Sequence, residues 1–160
     1  MQAPELCGNP LRSHAFPLCP CRAGTGIVGV VNVTVEFGGG AKFVVTAGTH
    51  AMICDLPAAD GGLDDGMSPP ELLLASLGTC AGYYASRYLR TRDLPCGVKV
   101  NVSAEKLHGP ERLGDFCINV SVDRPLDERH RLGISRAVHT CLIHNTFSCP
   151  SKIDVAITAR

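Results

Sequence analysis

Cys80 and Cys141 are the residues of this 160-residue chain with most chemistry within reach. Cys80 lies about three turns into an apolar helical pattern that opens at Ser68-Pro-Pro-Glu71, and Cys141 lies near the end of a second helical pattern. Two thiols held on packed helices can act in sequence on an oxidant: one takes the oxygen as a sulfenic acid, the other closes a disulfide. On the helical wheel Cys80 sits at the edge of the apolar face, with Leu73 on one flank and Ser76 and Arg87 on the other. Helical side chains lean toward the N-terminus, so Arg87 leans toward the thiol, and a nearby cation favours the nucleophilic thiolate. An unpaired helical cysteine is most often a small buried hydrophobe. Spacing alone therefore leaves Cys80 open between packing and chemistry, and Cys141, in the middle of its apolar stripe, is drawn further toward packing. A buried partner thiol is still what a transient disulfide needs, provided the Cα atoms approach within about 7 Å.

Other polar groups carry weaker signals. Glu71 stands three residues after Ser68, which makes it first the reciprocal half of a capping box; nine helical residues also place it opposite Cys80. Cys19 and Cys21 are separated by one residue, closer than zinc-site pairs, and no second pair follows. His139, Cys141, His144 and Cys149 look like ligands on paper, but one continuous helix would direct His139 away from the others, so solvent-facing histidines and no metal site are expected. No C-x-x-C is present, and Gly38-Gly-Gly40 is more simply a turn than a phosphate cradle. No cofactor is called for.

The elements that must position the two thiols follow from periodicity. Residues 1–26 hold no sustained pattern and read as an irregular extension, with a single domain over 27–160. From Ile27 to Phe37 a β-branched, partly alternating run predicts a first strand, with Lys42 to Thr46 and His50 to Leu56 as two more. Residues 57–67 form a polar loop. Pro69 at the first helical position then starts a long core helix running to about Arg90, with Leu73, Leu74, Leu77, Ala81, Tyr84, Ala85 and Tyr88 on its broad apolar face. Gly97 to Lys106 and Phe116 to Asp123 predict an antiparallel pair, with Phe116, Ile118, Val120 and Val122 on the buried side and Cys117 on the other. Asp127 to about His144 predicts one second helix with Ile134, Ala137, Val138 and Cys141 on its stripe, and Lys152 to Thr158 a closing strand. Strands, helix, strands, helix, strand make an α+β fold, with helices against mainly antiparallel sheet.

Composition narrows the function classes. Fifteen basic and fifteen acidic residues balance, which leaves no electrostatic footprint for a nucleic acid or an anionic membrane. The longest apolar helix is broken by Ser76, Gly78 and Thr79, and the N-terminus lacks the pattern of a signal peptide. A soluble, cytoplasmic chain is expected. Nine cysteines without a secretory signal point to redox or metal chemistry more than to a disulfide scaffold.

The run Gly66-Met-Ser-Pro-Pro-Glu-Leu-Leu-Leu-Ala-Ser-Leu-Gly-Thr-Cys80 resembles the central-helix motif of the OsmC/Ohr family. Thr46-Ala-Gly-Thr-His50 before it, and Cys141-Leu-Ile-His-Asn-Thr146 with Pro150 after it, are similar to that family too, over about residues 27–160. The resemblance implies an intertwined homodimer with active sites at the subunit interface. It also implies a cysteine-based peroxidase for organic hydroperoxides, reduced by a small dithiol or a lipoylated protein. By position, Cys80 is then peroxidatic and Cys141 resolving. The peroxidase branches activate the thiol with an arginine from the early strands, for which Arg87 or a partner-chain arginine would have to substitute here, with Glu71 as orienter and Leu73, Leu77 and Tyr84 as the lining of an apolar pocket. Two positions depart from the peroxidase branches. Pro70 stands where they carry glutamate, with Glu71 one place later as in less characterised OsmC-like branches, and Lys42 is the only lysine or arginine between Arg22 and Arg87. The same fold without fast turnover would be a small-ligand-binding stress protein or a thiol redox sensor.

Overall fold

The computed structural model describes residues 29–149 and 152–159. The expected extension over residues 1–26 with Cys19-Pro20-Cys21, the start of the first strand at Ile27, and Pro150 lie outside the described residues. The described residues group into two compact units, one holding residues 29–79 with 101–118, the other residues 80–100 with 119–149 and 152–159.

In the first unit, β1 (Thr34–Gly39), β2 (Lys42–Ala47) and β3 (His50–Cys54) form an antiparallel meander in that order. The turns are made where glycine is needed: Gly39 and Gly40 between β1 and β2, and Gly48 between β2 and β3, all have positive φ. Val35 pairs with Val45 and Phe37 with Phe43, whose rings meet edge to face at 5.8 Å. The expected first strand is shorter than its sequence pattern. Residues 29–33 are irregular, and β1 is exposed along its whole length, because β-branched residues favour a pleated surface only where a neighbour covers them.

Residues 55–67 are a loop with a short 3-10 helix at Ala58–Asp60, returning to the sheet through a parallel bridge between Cys54 and Met67. Helix α1 spans Pro69–Arg90, its start where the capping signal puts it. Pro69 and Pro70 occupy the first two helical positions, which have no intrahelical acceptor, so their missing N–H groups cost nothing there. The buried line is Leu77, Ala81, Ala85 and Leu89, spaced four apart. That is narrower than the predicted face: Leu73 is exposed, and Leu74, Tyr84 and Tyr88 are only half-buried. Small residues let β4 approach closely. A Cβ on Gly78 would meet Val102 at 3.0 Å, and one on Gly82 would meet Val100 at 3.4 Å.

β4 (Val98–Leu107) and β5 (Arg112–Val122) form the second sheet. Phe116, Ile118, Val120 and Val122 are half-buried while Asn119 and Ser121 are exposed, as the alternation predicts; Cys117, expected to face outward, is half-buried as well. α2 covers Glu128–His139, with Asp127 as N-cap accepting from His130 N at 2.8 Å.

Two expectations fail. The single helix to His144 is two helices, because α2 stops at His139 and α3 spans Leu142–Ser148. The Thr140 hydroxyl donates to Ala137 O at 2.7 Å, while Thr140 N and Cys141 N reach back to Ala137 O and Val138 O, tightening the last turn. Such a hydroxyl competes with the helical ladder. Cys141 is then extended, at φ −61° and ψ 135°. The closing strand is also absent, residues 152–159 being irregular. Ile153, Val155 and Ile157 are 89%, 83% and 93% exposed, so the alternating pattern lies against no strand of the described residues.

Candidate functional site

Cys80 and Cys141 form a disulfide, with Cα atoms 6.1 Å apart. That separation is within the span a disulfide bridges. α1 supplies Cys80 one residue before the buried Ala81, which leaves it half-buried at the margin of the core, as the helical wheel predicts. The break between α2 and α3 supplies Cys141, which is fully buried. Gly133 leaves room for Tyr88 between α2 and α1: a Cβ there would overlap the Tyr88 ring and hydroxyl, so a larger residue would require that ring to move. Chemically, a disulfide is a two-electron couple that reduction opens to a dithiol.

Glu71 is engaged at the helix start. One of its carboxylate oxygens accepts from Ser68 N at 2.8 Å and from the Ser68 hydroxyl at 2.7 Å, which lowers its pKa; the hydroxyl bond is the larger cause and burial opposes both. The serine hydroxyl thus donates to the acid rather than accepting from the helix, half of the predicted capping box. Nine residues of α1 separate Glu71 from Cys80, about 13.5 Å of rise. Lys42 is paired with Asp65, whose hydrogen bond raises the lysine pKa.

Asp55 carries no motif in the sequence, yet it organises the loop before α1. It is 1% exposed and accepts backbone N–H groups from Leu56 at 2.8 Å, Leu63 at 3.0 Å and Asp65 at 3.2 Å. Burial pushes its carboxyl up, but these bonds and the charge of Lys42 together outweigh that and leave it below the ordinary value. The only signal available was an aspartate ahead of a Gly- and Asp-rich loop, where such side chains bond nearby amides.

Arg87 is exposed on α1, and its side chain has no hydrogen-bond or ion-pair partner among the described residues. Arg92, not singled out by the sequence, lies over the Tyr88 ring at 3.7 Å, and the Tyr88 hydroxyl is 3.3 Å from His130 Nδ1. Leu77 is a core residue, whereas Leu73 is exposed and Tyr84 packs edge to face on Tyr83. His139 is not directed away from His144: their Nδ1 and Nε2 atoms are 3.3 Å apart, because the helix breaks between them. Among the described residues no group of three His, Cys, Asp or Glu is placed to hold a metal ion. Among the same residues no helix is long and apolar enough to cross a membrane.

The fold is similar to several solved structures. One from Psychrobacter arcticus, named for osmotic stress induction and detoxification response, is 20% identical, with a TM-score of 0.67 over 75% of this chain and 90% of its own. An OsmC-like protein from Mycoplasma pneumoniae is 16% identical, with a TM-score of 0.65 over 76% and 89%. An organic hydroperoxide resistance protein OsmC from Legionella pneumophila is 14% identical, with a TM-score of 0.59 over 76% and 91%. Comparison with curated protein sequences yields no match. The family described as OsmC, OsmC-like protein, matches residues 62–156, which include α1, the second sheet, α2, α3 and both cysteines of the disulfide, and the chain belongs to that family.

Proposed function

We propose that the chain is a thiol-dependent peroxidase that reduces organic hydroperoxides, and the observation that carries this is the Cys80–Cys141 disulfide. The Cys80 thiolate attacks the distal oxygen of ROOH, the O–O bond breaks, and the alkoxide leaves to be protonated as ROH. Cys141 attacks the resulting sulfenic sulfur, water departs and the disulfide closes. A small dithiol or a lipoylated protein then reopens it by two thiol–disulfide exchanges. Arg87, an exposed cation on the same helix, is assigned to favouring the thiolate, and Glu71 to orienting groups in the site of a partner chain. Leu73, Leu77 and Tyr84 are assigned to the apolar part of the substrate. The name of the Legionella protein, organic hydroperoxide resistance, agrees with this substrate class.

The working form in this proposal is a cytoplasmic homodimer. The uncovered side chains of Val35, Phe37, Ile153, Val155 and Ile157 support it, since a second copy would remove them from water. A thiol redox sensor with the same disulfide is the second reading. It is favoured by Glu71 and Lys42 being engaged by Ser68 and Asp65, which leaves fewer charges to activate Cys80.

The test is consumption of cumene hydroperoxide and hydrogen peroxide with dithiothreitol, comparing wild type, Cys80→Ser and Cys141→Ser. Fast turnover, quicker on the organic peroxide and lost in Cys80→Ser, is expected. A wild type no faster than Cys80→Ser would overturn the peroxidase and leave the sensor, whose disulfide would still form over minutes.

A further inference from the structure

His139 and His144 take no part in the peroxide chemistry above, yet the fold brings them together on either side of Cys141. α2 ends at His139, and the turn through Thr140 and Cys141 sets His139 Nδ1 3.3 Å from His144 Nε2. The two rings stand at 86° with centroids 4.8 Å apart. We propose that this pair is a two-nitrogen chelate for a zinc-class divalent cation. An ion bonded to two imidazole nitrogens at about 2.0–2.1 Å with a near-tetrahedral angle holds those nitrogens about 3.3–3.4 Å apart. The separation of the two nitrogens therefore matches the bite of such an ion.

The protons also balance. Between two neutral imidazoles, one facing nitrogen carries the hydrogen and the other accepts it. Binding needs both lone pairs, so the donating ring passes its proton to its own remote nitrogen, a tautomer change with no net release. His139 is exposed and His144 half-buried, which leaves the ion a path from solvent. With no third protein ligand among the described residues, solvent oxygens complete the coordination, unlike a closed structural zinc site.

The experiment is calorimetric titration of Zn²⁺ into the untagged full chain. The Cys80–Cys141 disulfide is kept closed and the remaining thiols are alkylated, so that no sulfur competes. One ion per chain is expected, with affinity falling at least tenfold in His139→Ala and in His144→Ala and unchanged in His130→Ala, which alters only the Tyr88 partner. No binding, binding indifferent to both histidines, or binding equally weakened by His130→Ala would overturn the proposal. Imidazole nitrogen NMR of the wild type gives a readout free of any folding defect. Zinc should move the His139 Nδ1 and His144 Nε2 resonances, and movement of other ring nitrogens alone would refute the chelate.

Discussion

The approach to α1 and the turn between α2 and α3 hold polar groups in opposite ways. Before α1, Asp55 and Glu71 are tied to neighbouring backbone: Asp55 accepts three amides, and Glu71 takes both the amide and the hydroxyl of Ser68. At the α2–α3 turn, Cys141 is fully buried, and its sulfur is bonded across to α1 through Cys80. The acids lie in stretches that need donors satisfied, where a carboxylate with shared hydrogen bonds is inert and locally stabilising. The thiols lie where two helices meet, and a bond between them can open and close without a change of charge on any acid. The hydrogen bonds of Asp55 and Glu71 build the approach to α1, and in the proposed reaction the two sulfurs carry the electron transfer.

Four substitutions sharpen or break that contrast. Cys141→Ser should have the largest effect: repeated peroxide turnover in the presence of dithiol should fall about tenfold or more, and Cys80 should progress to sulfinic and sulfonic acid, seen by mass spectrometry as two or three added oxygens. Retention of a reducible Cys80 would mean that another thiol resolves it. Asp55→Ala leaves three amides of the loop without their acceptor, and the thermal midpoint should drop by roughly 5–10 °C. If peroxide turnover at low temperature fell as far as in the cysteine variants, the division between building acids and reacting thiols would fail.

Gly133→Ala comes next, because its new methyl group would overlap Tyr88 and displace its ring between α2 and α1. A loss of a few degrees in thermal midpoint and slower closure of the Cys80–Cys141 disulfide are expected; an unchanged closure rate would show that α2 packing does not set the approach of the thiols. Glu71→Gln should be the mildest. The Glu71 pKa is lowered in the fold, so its stabilisation is present above the ordinary carboxylate pKa and is lost as pH falls through the folded value. The variant should be slightly less stable at neutral pH and flatter in its acid limb, with turnover within about threefold of wild type. A far larger loss of turnover at unchanged stability would move Glu71 from the capping role into the catalytic one.

Much of this was legible in the residues. Ser68, Pro69, Pro70 and Glu71 act within one turn of helix, so local chemistry alone places the start of α1. The alternation of β5 was legible for the same reason, since side-chain direction in a strand follows from its period of two. The break at Thr140 was not. Ile134, Val138 and Cys141 stay in phase with a single apolar stripe, and the pattern does not register a hydroxyl that takes over a helical carbonyl. The expected closing strand failed in the opposite sense, because its alternation is real but a strand exists only when another edge bonds to it.

By itself, then, the amino-acid order determined the helix start, the hairpin turns at glycine, the candidacy of Cys80 and Cys141 and, through its motif, the family. These depend on neighbours in sequence or on a pattern of residue types. Tertiary structure alone decided that the two thiols, 61 residues apart in sequence, stand at 6.1 Å, that Asp55 gathers a loop, and that His139 meets His144. Each of those depends on where a chain turns back on itself. The turn is set by the sum of helix packing, hydroxyl competition and a glycine that yields room to Tyr88, and no single stretch of residues contains that sum.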